Sequence, residues 1–476
     1  MIKFGTSGWR AILAEEFTFD NVRLVCHAIA RTLDESGFAN RGVAIGYDTR
    51  FLSERFAAEA ARVLAGHGIR CVVSSSAIPT PAVSHAVRHH GFGGAINITA
   101  SHNPAEYNGL KFSTEKGAPS PPDVTRKVEA FLASAGAVEA PMEAPMEAPM
   151  GAPADRLVES GDFHEPYFAQ LASLVRFDVL RKAGVKLAVD PRWGAARGWY
   201  DAILARQQIP FSMIHDHRDV LYGGEGPDVS ERTLKELSKT VVEGRFTLGV
   251  ATDGDADRFG VVDADGTWIN PNLLLALLAD YLAESRGFRQ GLGRTYATTG
   301  LIDAVARHYG VPLRQTPVGF KYLGEQILAE EVFLAGEESA GMSMIGHVPE
   351  KDGLLAGLLA AEMVAARGRS IAGLRDDLFA KVGALYSARE DFQVTAAQTT
   401  RLREHMQSPP TALGSRAVAR TTVLDGLRLD FEDGAWLLMR PSGTEPVVRY
   451  YVEAPTQPGL AELMKTGRKV LTGGGA

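Results

Sequence analysis

Four short segments of this chain carry residue types that could do chemistry. The first is TASHNP at 99–104, which presents the Ser101 hydroxyl in a polar loop directly after the apolar run GAINI at 94–98. Alternating apolar residues there predict a half-buried strand. Pro104 stops it, because proline lacks an N–H donor and restricts the residue before it. A serine just beyond a strand end is well placed to react, although Ser-His-Asn-Pro also makes an ordinary turn. The second segment is DGDADR at 253–258. Asp253, Asp255 and Asp257 repel one another unless a cation sits among them, and an all-oxygen ligand set favours magnesium or calcium. An EF-hand is excluded, since its loop would need glycine at Arg258 and glutamate at Ala264. A solvated acidic turn is the competing reading.

The third segment, GEESAG at 336–341, follows the strand-like residues 332–334. Its paired carboxylates and Ser339 could take hydrogen bonds from adjacent sugar hydroxyls, or form a helix start with acids in the first turn. The fourth, RPSGTEP at 440–446, offers the Arg440 guanidinium, the Ser442 and Thr444 hydroxyls and backbone N–H groups around Gly443. That combination suits a phosphate group, and a plain turn between strands is the alternative. There is no Walker A motif, and Gly91 and Gly93 do not complete a dinucleotide fingerprint because Ile96 replaces its last glycine. Nucleotide-dependent mechanisms are thereby disfavoured.

These loops need a scaffold, and the chain alternates helix and strand signals. Val22, Val25, Cys26, Ile29 and Leu33 recur at helical spacing behind a Thr18 or Asp20 cap. A strand at 43–45, a helix capped by Ser53 and running to Gly66, a strand at 71–73 and a helix opened by Pro81 follow. This order predicts a mostly parallel sheet covered by helices. The tandem repeat EAPM at 139–150 places proline every fourth residue, which forbids regular structure and marks a linker. The α/β pattern resumes near Phe163, with strands at 186–190 and 247–251 and a helix at 231–243 between them. A third round, from Asn272 to Val382, includes a strand at 295–297 and helices at 301–309 and 354–367. Beyond Ala388 the texture turns β-rich, with strands at 417–424, 427–431, 435–439 and 447–452 and a closing helix at 460–471. The expected organisation is α/β: domains at 1–138, 158–265 and 266–386, a linker at 139–157, and an α+β domain at 387–476.

The whole chain of 476 residues, with a formal charge of −7, argues against a general nucleic-acid or membrane-surface binder. Two cysteines are too few for a disulfide framework, and Met1–Thr6 lacks the apolar core of a signal peptide, so a cytoplasmic protein is expected. No run reaches the length of a membrane span, since Leu273–Leu278 is soon interrupted by Asp280.

Taken in order, TASHNP, DGDADR, GEESAG and RPSGTEP resemble the motifs of the α-D-phosphohexomutases, most of all the phosphoglucomutases and the dual phosphoglucomutase/phosphomannomutases. The resemblance runs from GTSGWR at 5–10 to the C-terminal loop. It implies three similar α/β domains with mixed, mostly parallel sheets and a smaller fourth domain around a central cleft. It implies that Ser101 carries a phosphoryl group as phosphoserine, and that Ser101, Asp253, Asp255 and Asp257 hold Mg²⁺. Arg10, His102 and Lys111 would support the chemistry, with Lys111 a candidate acid/base that would be helped if neighbouring cations lowered its pKa. Arg258, Gly319, Lys321, Glu337, Ser339, His347 and Lys351 would contact the sugar phosphate, and Arg440, Ser442, Gly443 and Thr444 would anchor the non-reacting phosphate.

The implied reaction interconverts glucose 1-phosphate and glucose 6-phosphate through a hexose 1,6-bisphosphate, which also serves as activator. The expected partners are hexose phosphates alone, with the chain a monomer or weak homodimer. GEESAG resembles the glucomutase version of the sugar loop. Mannomutase-like relatives tend to have methionine at the position of Glu338 and histidine at that of Gly341, and glucosamine mutases have glutamine and histidine there. The TSGWR start departs from this, being closer to shorter prokaryotic members of mixed specificity. Phosphomannomutase and phosphoglucosamine mutase are therefore the alternatives, with a metal-dependent sugar phosphatase or a silent sugar-phosphate binder more remote.

Overall fold

The computed structural model describes residues 2–4, 8–135, 156–441 and 447–472. The 139–150 repeat and Ser442, Gly443 and Thr444 lie outside the described residues. The chain forms two compact units, one of residues 1–271, 319–335 and 339–371, the other of residues 272–318, 336–338 and 372–476.

The first unit begins with a six-stranded sheet, in the order Trp9–Ile12, Tyr107–Thr114, Gly94–Ile98, Val43–Tyr47, Cys71–Ser74 and Val158–Gly161. Its last four strands run parallel, while Tyr107–Thr114 is antiparallel to both neighbours. The helix Phe19–Glu35 starts at Thr18, whose hydroxyl accepts from the Asn21 N–H at 3.3 Å, and it buries Val22, Val25, Cys26, Ile29 and Leu33. Ser53 is not the cap expected of it. Leu52, at φ 62°, precedes the helix Ser53–Gly66, and the Ser53 hydroxyl instead donates to Asp48 Oδ1 at 2.9 Å. Strand Gly94–Ile98 is buried at all five positions rather than half-buried, because strands flank it on both sides and the helices Ser53–Gly66 and Thr80–His90 pack against it.

A second sheet in this unit has the order Phe259–Asp263, Leu248–Thr252, Leu187–Asp190 and Phe211–Met213. Only the first pair is antiparallel, so the DGDADR loop is the short turn joining two buried strands. The helix expected at 231–243 forms over Lys235–Gly244, after a turn whose Thr233 hydroxyl is tied to the Asp228 carbonyl at 2.7 Å.

In the second unit Gly291–Thr295 pairs in parallel with Leu313–Thr316. The strand expected at 295–297 thus ends at Thr295, where the Thr298 N–H turns back onto the Thr295 carbonyl at 3.2 Å. The C-terminal sheet is antiparallel, in the order Tyr386–Gln393, Val447–Ala454, Trp436–Pro441, Leu427–Phe431, Arg416–Val423 and Ala412–Leu413. Leu402, from the helix Ala396–Gln407, and Leu463, from Gln457–Thr472, join its core of Leu427, Leu429, Leu437, Tyr450 and Val452. The class is α/β with mixed, mostly parallel sheets and a C-terminal antiparallel sheet with helices. Among the described residues no helix is long and apolar enough to cross a membrane.

Candidate active site

Ser101 adopts φ 54°, a left-handed conformation that costs a non-glycine residue energy and persists only where its surroundings impose it. Those surroundings are on view. The Ser101 N–H donates to the Thr99 hydroxyl at 2.9 Å, and the buried Arg50 guanidinium grips the loop from beneath. Arg50 Nη2 donates to the carbonyls of Ser101 (2.7 Å) and Asn103 (2.6 Å), and Nη1 to those of Pro104 (2.7 Å) and Tyr107 (2.9 Å). Its Nε donates to Asp48 Oδ2 at 3.2 Å. All five guanidinium N–H groups are thereby used. Burial pushes the Asp48 carboxyl up, and Arg50, Thr99 and Ser53 partly offset that push.

Held in this way, the Ser101 hydroxyl donates to Asp253 Oδ2 at 2.8 Å and lies 3.3 Å from His102 Nδ1. Gly254 permits the approach, since a Cβ there would stand 2.6 Å from the Ser101 carbonyl oxygen. Asp253 Oδ1 accepts from the Arg258 N–H at 3.0 Å, closing the aspartate loop. Lys111 Nζ bridges Asp255 Oδ2 (2.5 Å) and Asp257 Oδ2 (2.7 Å), and Lys351 Nζ adds a second ion pair to Asp257 at 3.0 Å. Burial and the other two aspartates push Asp253 well above the usual carboxylate range. Burial acts on Asp257 in the same direction, but Lys111, Lys351 and Arg258 outweigh it and hold that carboxyl far below its usual range.

Family models described as phosphoglucomutase/phosphomannomutase α/β/α domains I, II and III match residues 1–138, 165–266 and 270–382. The model of the family's C-terminal domain matches residues 393–469. A phosphoglucomutase of Komagataeibacter xylinus is 30% identical, with 95% of this chain and 87% of that one covered. The chain belongs to the phosphoglucomutase/phosphomannomutase family. A phosphoglucosamine mutase of Salinispora arenicola is also 30% identical, over 95% of this chain and 94% of that one. A solved structure from Thermus thermophilus, provisionally named a phosphomannomutase, superposes with a TM-score of 0.84 at 32% identity, covering 99% of each chain. The protein is an enzyme, a phosphohexomutase; the relatives' names span three sugars.

The donor set of this phosphohexomutase fits a divalent cation. One oxygen each from Asp253, Asp255 and Asp257 lie within 4.8 Å of one another. Asp255 Oδ1 and Asp257 Oδ1 are buried with no hydrogen-bond partner among the described residues. Orphaned buried carboxylate oxygens are costly unless a cation or water completes them, and hard oxygen donors suit Mg²⁺.

The condition attached to Lys111, a pKa lowered by neighbouring cations, is not met. Burial does work to lower the Lys111 pKa, but Asp255 and Asp257 dominate and the net direction is upward. The two carboxylates thus favour the protonated ammonium.

Among the remaining residues predicted from sequence, the Arg10 guanidinium donates to Asn103 Oδ1 at 2.8 Å from strand Trp9–Ile12, which reaches the serine loop through its pairing with Tyr107–Thr114. Lys321 and Lys351 line one cleft with Lys111, Glu350, Ser120 and Thr125. Gly319, at φ 133°, precedes the helix Phe320–Leu328, and Ser339 is half-buried. His347 is buried. Its Nε2 meets Asp352 Oδ2 at 2.7 Å, an oxygen that also accepts from the Tyr167 hydroxyl at 2.7 Å.

In the second unit Glu337 ends strand Val332–Glu337, and the neighbouring Glu338 accepts from the Thr295 and Thr298 hydroxyls at 3.1 and 3.3 Å. Arg440 lies in strand Trp436–Pro441. Sequence reading missed Asp48, Arg50, Thr80 and Asn97. The one available signal was an Asp-x-Arg pair at 48–50, directly after the apolar strand Val43–Tyr47.

Proposed function

We propose that this phosphohexomutase interconverts glucose 1-phosphate and glucose 6-phosphate, with Ser101 as the phosphoryl carrier. The observation that supports the reading is the Ser101 hydroxyl held 2.8 Å from Asp253 in a buried cluster that also joins Asp255, Asp257 and Lys111. In the loaded enzyme, phosphoserine 101 gives its phosphoryl group to the free hydroxyl of a hexose 1-phosphate. The P–O bond to Ser101 breaks as one to the sugar oxygen forms, the sugar hydroxyl loses its proton, and the serine oxygen regains one. Lys111, kept protonated by its two aspartates, is the candidate acid. The resulting 1,6-bisphosphate reverses in orientation and returns its other phosphate to Ser101, so the same bisphosphate activates enzyme whose serine is free. Mg²⁺ held by Asp253, Asp255, Asp257 and an oxygen on Ser101 would neutralise charge on the moving group.

Arg10 and His102 steady the serine loop. Arg440, with Ser442, Gly443 and Thr444, is assigned to the non-reacting phosphate, where a guanidinium can bind two oxygens at once. Glu337 and Ser339 are assigned to the sugar hydroxyls, and Arg258, Gly319, Lys321, His347 and Lys351 to the rest of the substrate. Glucose is favoured over mannose and glucosamine by Glu338 and Gly341 in the sugar loop.

Intact-mass measurement after incubation with glucose 1,6-bisphosphate, followed by rates on glucose, mannose and glucosamine 1-phosphates, tests the reading. One phosphate on Ser101, glucose as the fastest substrate and near-total loss of activity in Ser101→Ala are expected. A strong mannose or glucosamine preference overturns the choice of sugar. Activity surviving in Ser101→Ala, with free phosphate released, overturns the carrier.

A further inference from the structure

Thr80 opens the helix Thr80–His90 and holds Asp255 twice. Its N–H donates to the Asp255 carbonyl at 2.9 Å, and its hydroxyl donates to Asp255 Oδ2. Asn97, on strand Gly94–Ile98, donates its Nδ2 hydrogen to Thr80 Oγ1 at 2.8 Å. A hydroxyl has one proton, so an amide N–H on its lone pair leaves that proton aimed at the carboxylate. Thr80, Asn97 and Asp255 are all buried, which keeps water from competing for these bonds.

Asp255 Oδ2 is therefore occupied by Thr80 and by Lys111, and Oδ1 is the oxygen left without a partner among the described residues. Lys111 alone would not settle which oxygen is free, because its ammonium sits on a flexible stem and is shared with Asp257. The Thr80 hydroxyl is fixed at both ends, by Asn97 and by the backbone bond from its own residue. We propose that Thr80, oriented by Asn97, is a positioning residue for the cation site, turning Asp255 so that Oδ1 faces the ion. The inference rests on the reading of Asp253, Asp255 and Asp257 as metal ligands.

The test is direct Mn²⁺ binding by titration calorimetry to the full-length wild type, Thr80→Val, Thr80→Ser and Asp255→Asn, with melting temperatures alongside. Outer-shell partners of a ligand typically govern metal affinity by 10–100-fold. Thr80→Val, which keeps size and the backbone bond, should weaken Mn²⁺ binding by about tenfold. Thr80→Ser should restore it, and the KM for sugar phosphate at saturating metal should be unchanged in both. A merely structural role would lower the melting temperature without moving Mn²⁺ affinity. Wild-type affinity in Thr80→Val, with binding lost in Asp255→Asn, overturns the proposal for Thr80 and leaves the cation site standing. Wild-type affinity in Asp255→Asn overturns the cation site itself. Should Thr80→Val fail to fold, Asn97→Leu carries the test, since it frees the hydroxyl to rotate; unchanged Mn²⁺ affinity there overturns the proposal.

Discussion

Gly254 is where the aspartate loop and the serine loop come closest, and Gly254→Ala gives the sharpest test of how the two are registered. The added Cβ would stand 2.6 Å from the Ser101 carbonyl oxygen, roughly 0.8 Å short of ordinary contact. Pro227 crowds the same position, with its Cγ and Cβ 3.1 and 3.2 Å away. The carbonyl cannot simply swing aside either, because Arg50 Nη2 holds it at 2.7 Å. The strain is relieved by separating the loops, which lengthens the 2.8 Å contact of the Ser101 hydroxyl with Asp253. A misplacement on the order of 1 Å at reacting groups costs roughly 100-fold in rate, or about 2.7 kcal/mol in the barrier. Overpacking adds about 1–3 kcal/mol of lost stability. The assay is kcat at saturating Mg²⁺ and bisphosphate, read beside a thermal melt so that folded enzyme is what is compared. Gly66→Ala is the control: it lies in the helix Ser53–Gly66 with nothing within 4 Å of a built Cβ, and should be neutral or slightly stabilising. A folded Gly254→Ala enzyme with kcat within about threefold of wild type would refute the idea that loop registration limits the reaction.

Two further substitutions probe the supports of the site. Arg50→Lys replaces five donors by three, so at least two of the acceptors around Arg50 lose their partner. At about 1–3 kcal/mol for each buried acceptor left unmade, urea unfolding should show a loss of about 2–6 kcal/mol, and unchanged stability would contradict the account of the loop. Burial, with His347, His89, His90 and Arg88 nearby, pushes His85 down to about 4. For a base depressed in the folded state the stabilisation is complete above the unfolded value near 6.5 and is lost as pH falls toward 4. His85→Leu should therefore flatten the decline of melting temperature between those pH values, and a parallel profile would show that His85 is not its source.

The elements that deliver the reactive loops were legible because their own residues are apolar and periodic. Residues 94–98 and 247–251 read as strands, and each leads into a loop whose polar residues stand apart from it. Strand Tyr107–Thr114, which carries Lys111, was not legible on the same grounds. Asn108 and Lys111 interrupt its apolar pattern, and both are buried where a pattern reader expects solvent-facing polarity. Arg50, Thr80 and Asn97 escaped for the same reason: each is a polar side chain buried inside the protein. Ser53 misled in the opposite sense, since it has the right type and place for a cap but Asp48 claims its hydroxyl.

The Lys111 pKa shows most directly why such residues resist reading from sequence. Its direction depends on Asp255 and Asp257, which lie 144 and 146 positions away along the chain. Ser101 and Asp253 are likewise 152 positions apart. At such separations only the fold decides whether a lysine meets cations or carboxylates, and the two outcomes move its pKa in opposite directions. Sequence spacing could name the aspartates as a set, because they share one turn. The opposite directions in which Asp253 and Asp257 are pushed follow from what the rest of the unit brings to each of them. Lys351 pairs with Asp257, while Asp253 receives a neutral hydroxyl and a backbone N–H. The motif alone is silent on this difference, because the lysine that makes it comes from a segment 94 positions away from Asp257.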